Sequence, residues 1–138
     1  MHPFFDISAP SPDAQHLAYL AFSGEIRFGP AYYALSVDDY AFGSRIFGSP
    51  YQWSPSSDLL AVQEWLTLDY SAGPITALVV IHVHLRQEIT VAQATKRFLV
   101  PAAFAGTSIL YREEQAGQEV LKHFDLATAT RQAWKAFA

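Results

Sequence analysis

A chain of 138 residues that is 51% hydrophobic, 14% aromatic and 16% charged can bury the core of one domain, which excludes intrinsic disorder. The 9 Lys and Arg against 13 Asp and Glu leave a net charge of −4, so nucleic-acid binding lacks its main electrostatic term and a basic partner is favoured. Zero cysteines exclude a disulfide framework and a thiolate metal site and fit a reducing cytoplasm, and no run of 18 apolar residues is present to span a membrane. The opening Met1-His2-Pro3-Phe4-Phe5-Asp6 lacks the basic and apolar regions of a signal peptide, so a cytoplasmic location is expected.

In chain order, the expected strands are Leu17 to Phe22, Ala31 to Val37, Arg45 to Phe47, Leu59 to Leu66, Ile75 to Leu85, Ile89 to Val91, Ser108 to Arg112, Val120 to Asp125 and Arg131 to Phe137. Each is a short run of apolar and β-forming residues, and turn residues punctuate them roughly every 8 to 15 positions. Helix is an option only at Asp13 to His16, at Val91 to Arg97 and after Thr130, where too few apolar positions mark a helical face. The expected fold class is all-β, as a single domain over residues 1–138.

Two stretches of the chain repeat. Ser11-Pro12-Asp13-Ala14-Gln15-His16-Leu17-Ala18-Tyr19 aligns with Ser54-Pro55-Ser56-Ser57-Asp58-Leu59-Leu60-Ala61-Val62, the prolines lying about 43 positions apart. Proline presets φ near −65° in such a turn, and the Ser or Asp side chain caps the reversal before a strand begins. Gly29-Pro30-Ala31-Tyr32-Tyr33-Ala34-Leu35 matches Gly73-Pro74-Ile75-Thr76-Ala77-Leu78-Val79 at nearly the same offset. A weaker third copy puts a Pro-led turn at Val100-Pro101 before the strand that starts at Ser108, and Leu121 to Thr128 closes it. The units run approximately over residues 8–52, 53–99 and 100–138.

This pattern resembles the Ser-Pro-Asp-Gly turn and Asp-Leu-x-Thr strand of Tol-type and WD-like β-propeller blades. Ala14 stands where the first turn would carry glycine, the second turn lacks the Asp, and the third keeps only its proline and Gly106. The resemblance implies antiparallel β-meander units. A propeller closes with about four to eight blades, more than this chain supplies, so the expectation is a partial propeller-like or sandwich-like domain with open edge strands.

Catalytic signatures are absent from the sequence. There is no Gly-x-Ser-x-Gly elbow, P-loop or dinucleotide fingerprint, and the pairs Asp38-Asp39 and Glu113-Glu114 point to opposite faces if they lie on strands. No enzyme activity, catalytic residue or cofactor is expected. His82-Val83-His84 places two imidazoles on one face of a strand and could ligate zinc or copper with a third donor such as His16 or His123. Two solvent-facing histidines on a strand whose inner face is Ile81, Val83 and Leu85 are the favoured explanation, and no metal is expected.

Aromatic and acidic residues concentrate between positions 32 and 70. Tyr and Trp carry most interface energy, and acidic neighbours steer a basic partner. Tyr32, Tyr33, Asp38, Asp39, Tyr40, Glu64, Trp65, Asp69 and Tyr70 are therefore the expected partner-binding residues, against the alternative that the aromatics are core. By type, a small acidic cysteine-free chain without a catalytic motif is similar to bacterial immunity proteins. That similarity implies an inhibitor that occludes the active site of a basic toxin domain, with neither nucleic acid nor membrane as partner. A metal- or small-ligand-binding β module and a self-assembling propeller-like subunit are the alternatives, and the oligomeric state is left open.

Overall fold

A computed structural model gives the architecture and describes residues 5–26 and 29–137. Nine strands form one sheet: β1 (Ile7–Pro10), β2 (Leu17–Glu25), β3 (Ala31–Val37), β4 (Tyr40–Ala41), β5 (Ile46–Trp53), β6 (Leu59–Trp65), β7 (Ile75–His82), β8 (Gln87–Thr95) and β12 (Lys135–Ala136). The sheet is an antiparallel meander in the order β1-β2-β3-β5-β6-β7-β8-β12, with β4 paired to β3. A second sheet holds β9 (Phe98–Ala105), β10 (Ser108–Gln115) and β11 (Gln118–Asp125) in the order β11-β10-β9. Two 3₁₀ turns, Leu126–Thr128 and Arg131–Ala133, return the chain to the edge of the large sheet. The protein is all-β and antiparallel, a sandwich-like meander.

Burial explains the strand compositions. β3 alternates, with Ala31, Tyr33, Leu35 and Val37 buried and the residues between them partly exposed. β7 carries the most apolar run in the chain because it is covered on both faces. Ala77, Val79 and Ile81 join one core with Leu20, Leu35, Phe47, Leu60 and Val62, while Leu78 and Val80 join a second with Ala61, Ile89, Leu99 and Ile109. Each of these Val, Leu, Ile and Phe side chains contributes about 1.5–3 kcal/mol on burial.

The large sheet curls around the first core. Trp53 Nε1 at the end of β5 donates to the Ala9 carbonyl of β1 at 2.9 Å. Phe137, just after β12, packs its ring 5.0 Å from those of Tyr40 and Phe42. Arg45 braces this curl with hydrogen bonds of 2.7–2.9 Å to Glu64 on β6 and Glu88 on β8.

The small sheet covers the other face of β6, β7 and β8, and polar side chains join it there. Buried Gln63 donates from Nε2 to the Leu99 carbonyl at 3.0 Å and accepts Trp65 Nε1 at 2.8 Å. Buried Thr76 donates its hydroxyl to the Arg97 carbonyl at 2.8 Å and accepts the Leu99 amide at 3.1 Å. These contacts satisfy backbone groups at the start of β9 and just before it, on the side where no strand pairs with it.

Several sequence expectations shift. The strand begun at Ile75 ends at His82 rather than Leu85, because Val83 to Arg86 form a turn with Arg86 at φ 54°. Pro101 lies inside β9 rather than in a turn. It sits opposite Tyr111 where the β9–β10 register slips, a bulge that tolerates a missing N–H. The C-terminal stretch forms a 3₁₀ turn and a two-residue strand instead of one strand over Arg131 to Phe137. Of the optional helices, Asp13 to His16 is largely turn and Val91 to Thr95 is strand. β1, β4 and β9 had no counterpart among the expected strands.

Candidate functional site: the turn end of the large sheet

The two Ser-Pro segments fold into the same turn. In each, the Ser amide donates to the carbonyl five residues on, the amide three residues on donates to the Ser carbonyl, and the amide five residues on donates to the Ser hydroxyl (Ser11, Ala14 and His16 in the first, Ser54, Ser57 and Leu59 in the second). Ala14 and Ser57 occupy matching left-handed positions, at φ 60° and 67°. The first turn joins β1 to β2 and the second joins β5 to β6; strand directions place them at opposite ends of the meander, and the curl of the sheet brings them together at one corner, the turn end.

Hydrogen bonds stitch the turns of this end together. The Asp13 amide donates to Ser57 Oγ at 3.0 Å, linking the two Ser-Pro turns. His16 Nδ1 lies 3.0 Å from Asp38 Oδ2, linking the first to the β3–β4 turn, and Asp38 Oδ1 also accepts the Leu17 amide. The Val83 amide donates to the Asp58 carbonyl at 3.0 Å, adding the β7–β8 turn. Asp13, Asp38, Asp39 and Asp58 thus stand on adjacent turns of a braced scaffold.

Three of these carboxylates, Asp13, Asp38 and Asp58, are held in their charged form. The Ser11 hydroxyl and then the Gln15 amide lower the Asp13 pKa. Burial works to raise Asp38, but hydrogen bonds from His16 and Leu17 and the nearby charge of Arg86 bring it below the usual range. Burial likewise opposes ionisation of Asp58, and the Ser56 and Ser54 hydroxyls overcome it. Among the described residues, none of these four aspartates forms an ion pair with Lys or Arg. Every Lys or Arg ion pair there goes to a Glu: Glu64, Glu88, Glu113, Glu114 or Glu119.

Three histidines sit among these turns. His84 meets His16 edge-on with ring centroids 4.8 Å apart, and His82 lies 6.1 Å from His84. His82 and His84 do not share a strand face, since β7 ends between them. His82 Nδ1 instead accepts the Leu85 amide, and burial lowers its pKa. Because an ionised carboxylate only accepts, the Asp38 contact places the His16 proton on Nδ1. His16 Nε2 is then buried without a hydrogen-bond partner among the described residues. No group of three His, Asp or Glu among the described residues is placed to hold a metal ion.

The structure divides the residues expected to bind a partner. Asp38, Asp39 and Tyr40 belong to the turn end, with both aspartates exposed and Tyr40 packed beneath Arg86. Tyr32 on β3 and Glu64 and Trp65 on β6 lie about 17 Å or more along their strands from these turns, and Asp69 and Tyr70 follow the far end of β6. Tyr33 and Trp65 are buried in the protein's own packing, and Glu64 is engaged by Arg45. Tyr32, Trp65, Tyr70 and Phe98 form one aromatic cluster, and burial raises the Tyr70 pKa. Asp69 is exposed and caps the Ser71 amide. Asp13 and His16 were not among the residues expected to bind a partner, although the repeated Ser-Pro turn marked where they would emerge.

Comparison with protein-family models, with curated proteins and with solved structures returns no match to this chain. Among the described residues, no helix is long and apolar enough to cross a membrane.

Proposed function

We propose that this chain is a protein-binding protein of the immunity type, which blocks the active site of a basic toxin domain by docking the turn end of its large sheet. One observation carries the reading: Asp13, Asp38, Asp39 and Asp58 project from neighbouring hydrogen-bonded turns with no Lys or Arg ion pair among the described residues. A rigid acidic rim of this kind steers a basic partner and loses little entropy on binding. Exposed Leu17 and Leu85 flank the rim and add apolar area to the same face. Asp38, Asp39 and Tyr40 are retained from the sequence reading, and Asp13 and Asp58 join them.

The test combines capture with inhibition. The tagged chain is used to isolate a partner from a bacterial lysate, and light scattering gives the stoichiometry. The partner's activity is then titrated with the chain. A one-to-one complex is expected that silences the partner, and Asp38→Asn with Asp39→Asn should slow association several-fold, more so at low salt. A homo-oligomer that captures nothing, or a partner indifferent to salt and to both substitutions, overturns the proposal.

A further inference from the structure

The two sheets part at the turn end and leave a cleft of about 510 Å³. Its walls come from separate parts of the chain. The β5–β6 turn supplies Ser56 and Asp58, β7 ends in it with His82, the β9–β10 hairpin supplies Phe104 and Thr107, and Trp134 lines it from the C-terminal stretch. Asp58 brings the one acidic side chain among the described lining residues, and no Lys or Arg lines the cleft with it. Its Oδ1 accepts the hydroxyls of Ser54, at 2.9 Å, and of Ser56. A carboxylate has about four lone-pair sites, so capacity for further donors remains. His82 meets Trp134 with ring centroids 6.4 Å apart, and burial favours its neutral form, which does not repel a cation.

A negative charge beside aromatic walls, in a recess without a compensating cation, matches a guanidinium on an alkyl stem. The planar head donates to the carboxylate, it is weakly hydrated, and it stacks on an indole face. Arginine is also among the residues that most often anchor interfaces. We infer that this cleft receives an arginine side chain of the protein partner, with Asp58 supplying the counter-charge and Trp134 and Phe104 flanking the stem. The inference rests on reading the turn end as the docking face.

The pocket chemistry can be tested without the partner. The isotopically labelled chain is titrated with N-acetyl-arginine-N′-methylamide, and in parallel with the citrulline analogue, whose neutral urea replaces the guanidinium. Saturable shifts are expected at the Trp134 indole N–H and the Gly106 and Thr107 amides, with the citrulline probe roughly tenfold weaker or more. Asp58→Asn should weaken the arginine probe by a similar factor. Ala127→Trp, which fills the cleft from an exposed position on its wall, should abolish the shifts without lowering the melting temperature. Equal response to both probes, or an arginine response that survives both substitutions, overturns the inference. If the arginine probe binds selectively while no basic protein is captured, the docking reading fails and the guanidinium preference of the cleft is supported. If a basic partner binds with affinity unchanged by Asp58→Asn and Ala127→Trp, the docking reading stands and this inference fails.

Discussion

Replacing Thr76 by Val isolates the side-chain hydrogen bonds that seat the small sheet on the large one. Valine keeps the shape and apolar volume of threonine, so the second core is nearly undisturbed. What disappears is the hydroxyl that accepts the Leu99 amide at 3.1 Å and donates to the Arg97 carbonyl at 2.8 Å. Arg97 is exposed, so its carbonyl can turn to water at little cost. Leu99 is only 1% exposed, and its amide is left buried without an acceptor. An unsatisfied buried donor costs about 1–3 kcal/mol. For a domain of this size that corresponds to a fall in melting temperature of roughly 3–10 °C. Calorimetry of the wild type, Thr76→Val and Thr76→Ser measures it. Serine keeps the hydroxyl and loses a methyl, so it should be the milder change, whereas hydrophobic burial alone would rank valine as the more stable. A Thr76→Val protein as stable as the wild type, or more stable than Thr76→Ser, refutes the view that this hydroxyl joins the sheets.

Other perturbations test the remaining supports. Arg45→Met removes the brace and leaves Glu64 and Glu88 facing each other; a loss of about 1–2 kcal/mol is expected in urea denaturation, smaller at high salt, and unchanged stability would mean the curl does not depend on it. Ser11→Ala and Ser54→Ala should each cost about 1 kcal/mol, since each hydroxyl closes its turn; unequal losses in chemical denaturation would show that the hydroxyls' different carboxylate partners, Asp13 and Asp58, matter more than the shared closure. The folded-state pKa values of Asp13, Asp38 and Asp58 lie below their unfolded values, so their contribution is complete above the unfolded pKa of about 4 and is lost as pH falls through the lower folded values. Melting temperature should therefore fall below about pH 4. Asp58→Asn should flatten that slope, and an unaltered slope would remove Asp58 from the account.

Local pattern determined a good deal about this protein. β3 was readable to its boundaries from Ala31-Tyr32-Tyr33-Ala34-Leu35-Ser36-Val37, because alternating burial selects alternating chemistry. The two Ser-Pro turns were readable because proline geometry and a capping hydroxyl act within six residues, and their hydrogen bonds coincide position for position. β1 and β4 escaped notice because a strand of four or two residues leaves no period to detect. Pro101 misled because proline reads as a turn wherever it stands, and a β-bulge is visible only once β10 lies opposite.

Which residues gather at the turn end was a tertiary decision. Tyr33 and Tyr40 lie seven residues apart and share one chemistry, yet the curl of the sheet buries the first and carries the second to its turn end. The same curl gathers Asp13, Asp38 and Asp58 from turns far apart in sequence, and the cover of the small sheet brings Phe104 and Trp134 to Asp58. A sequence determines its strands and turns through neighbours a few bonds away. It determines the rim and cleft only through long-range packing, in which the partners of each residue are set by how two sheets twist and close on each other.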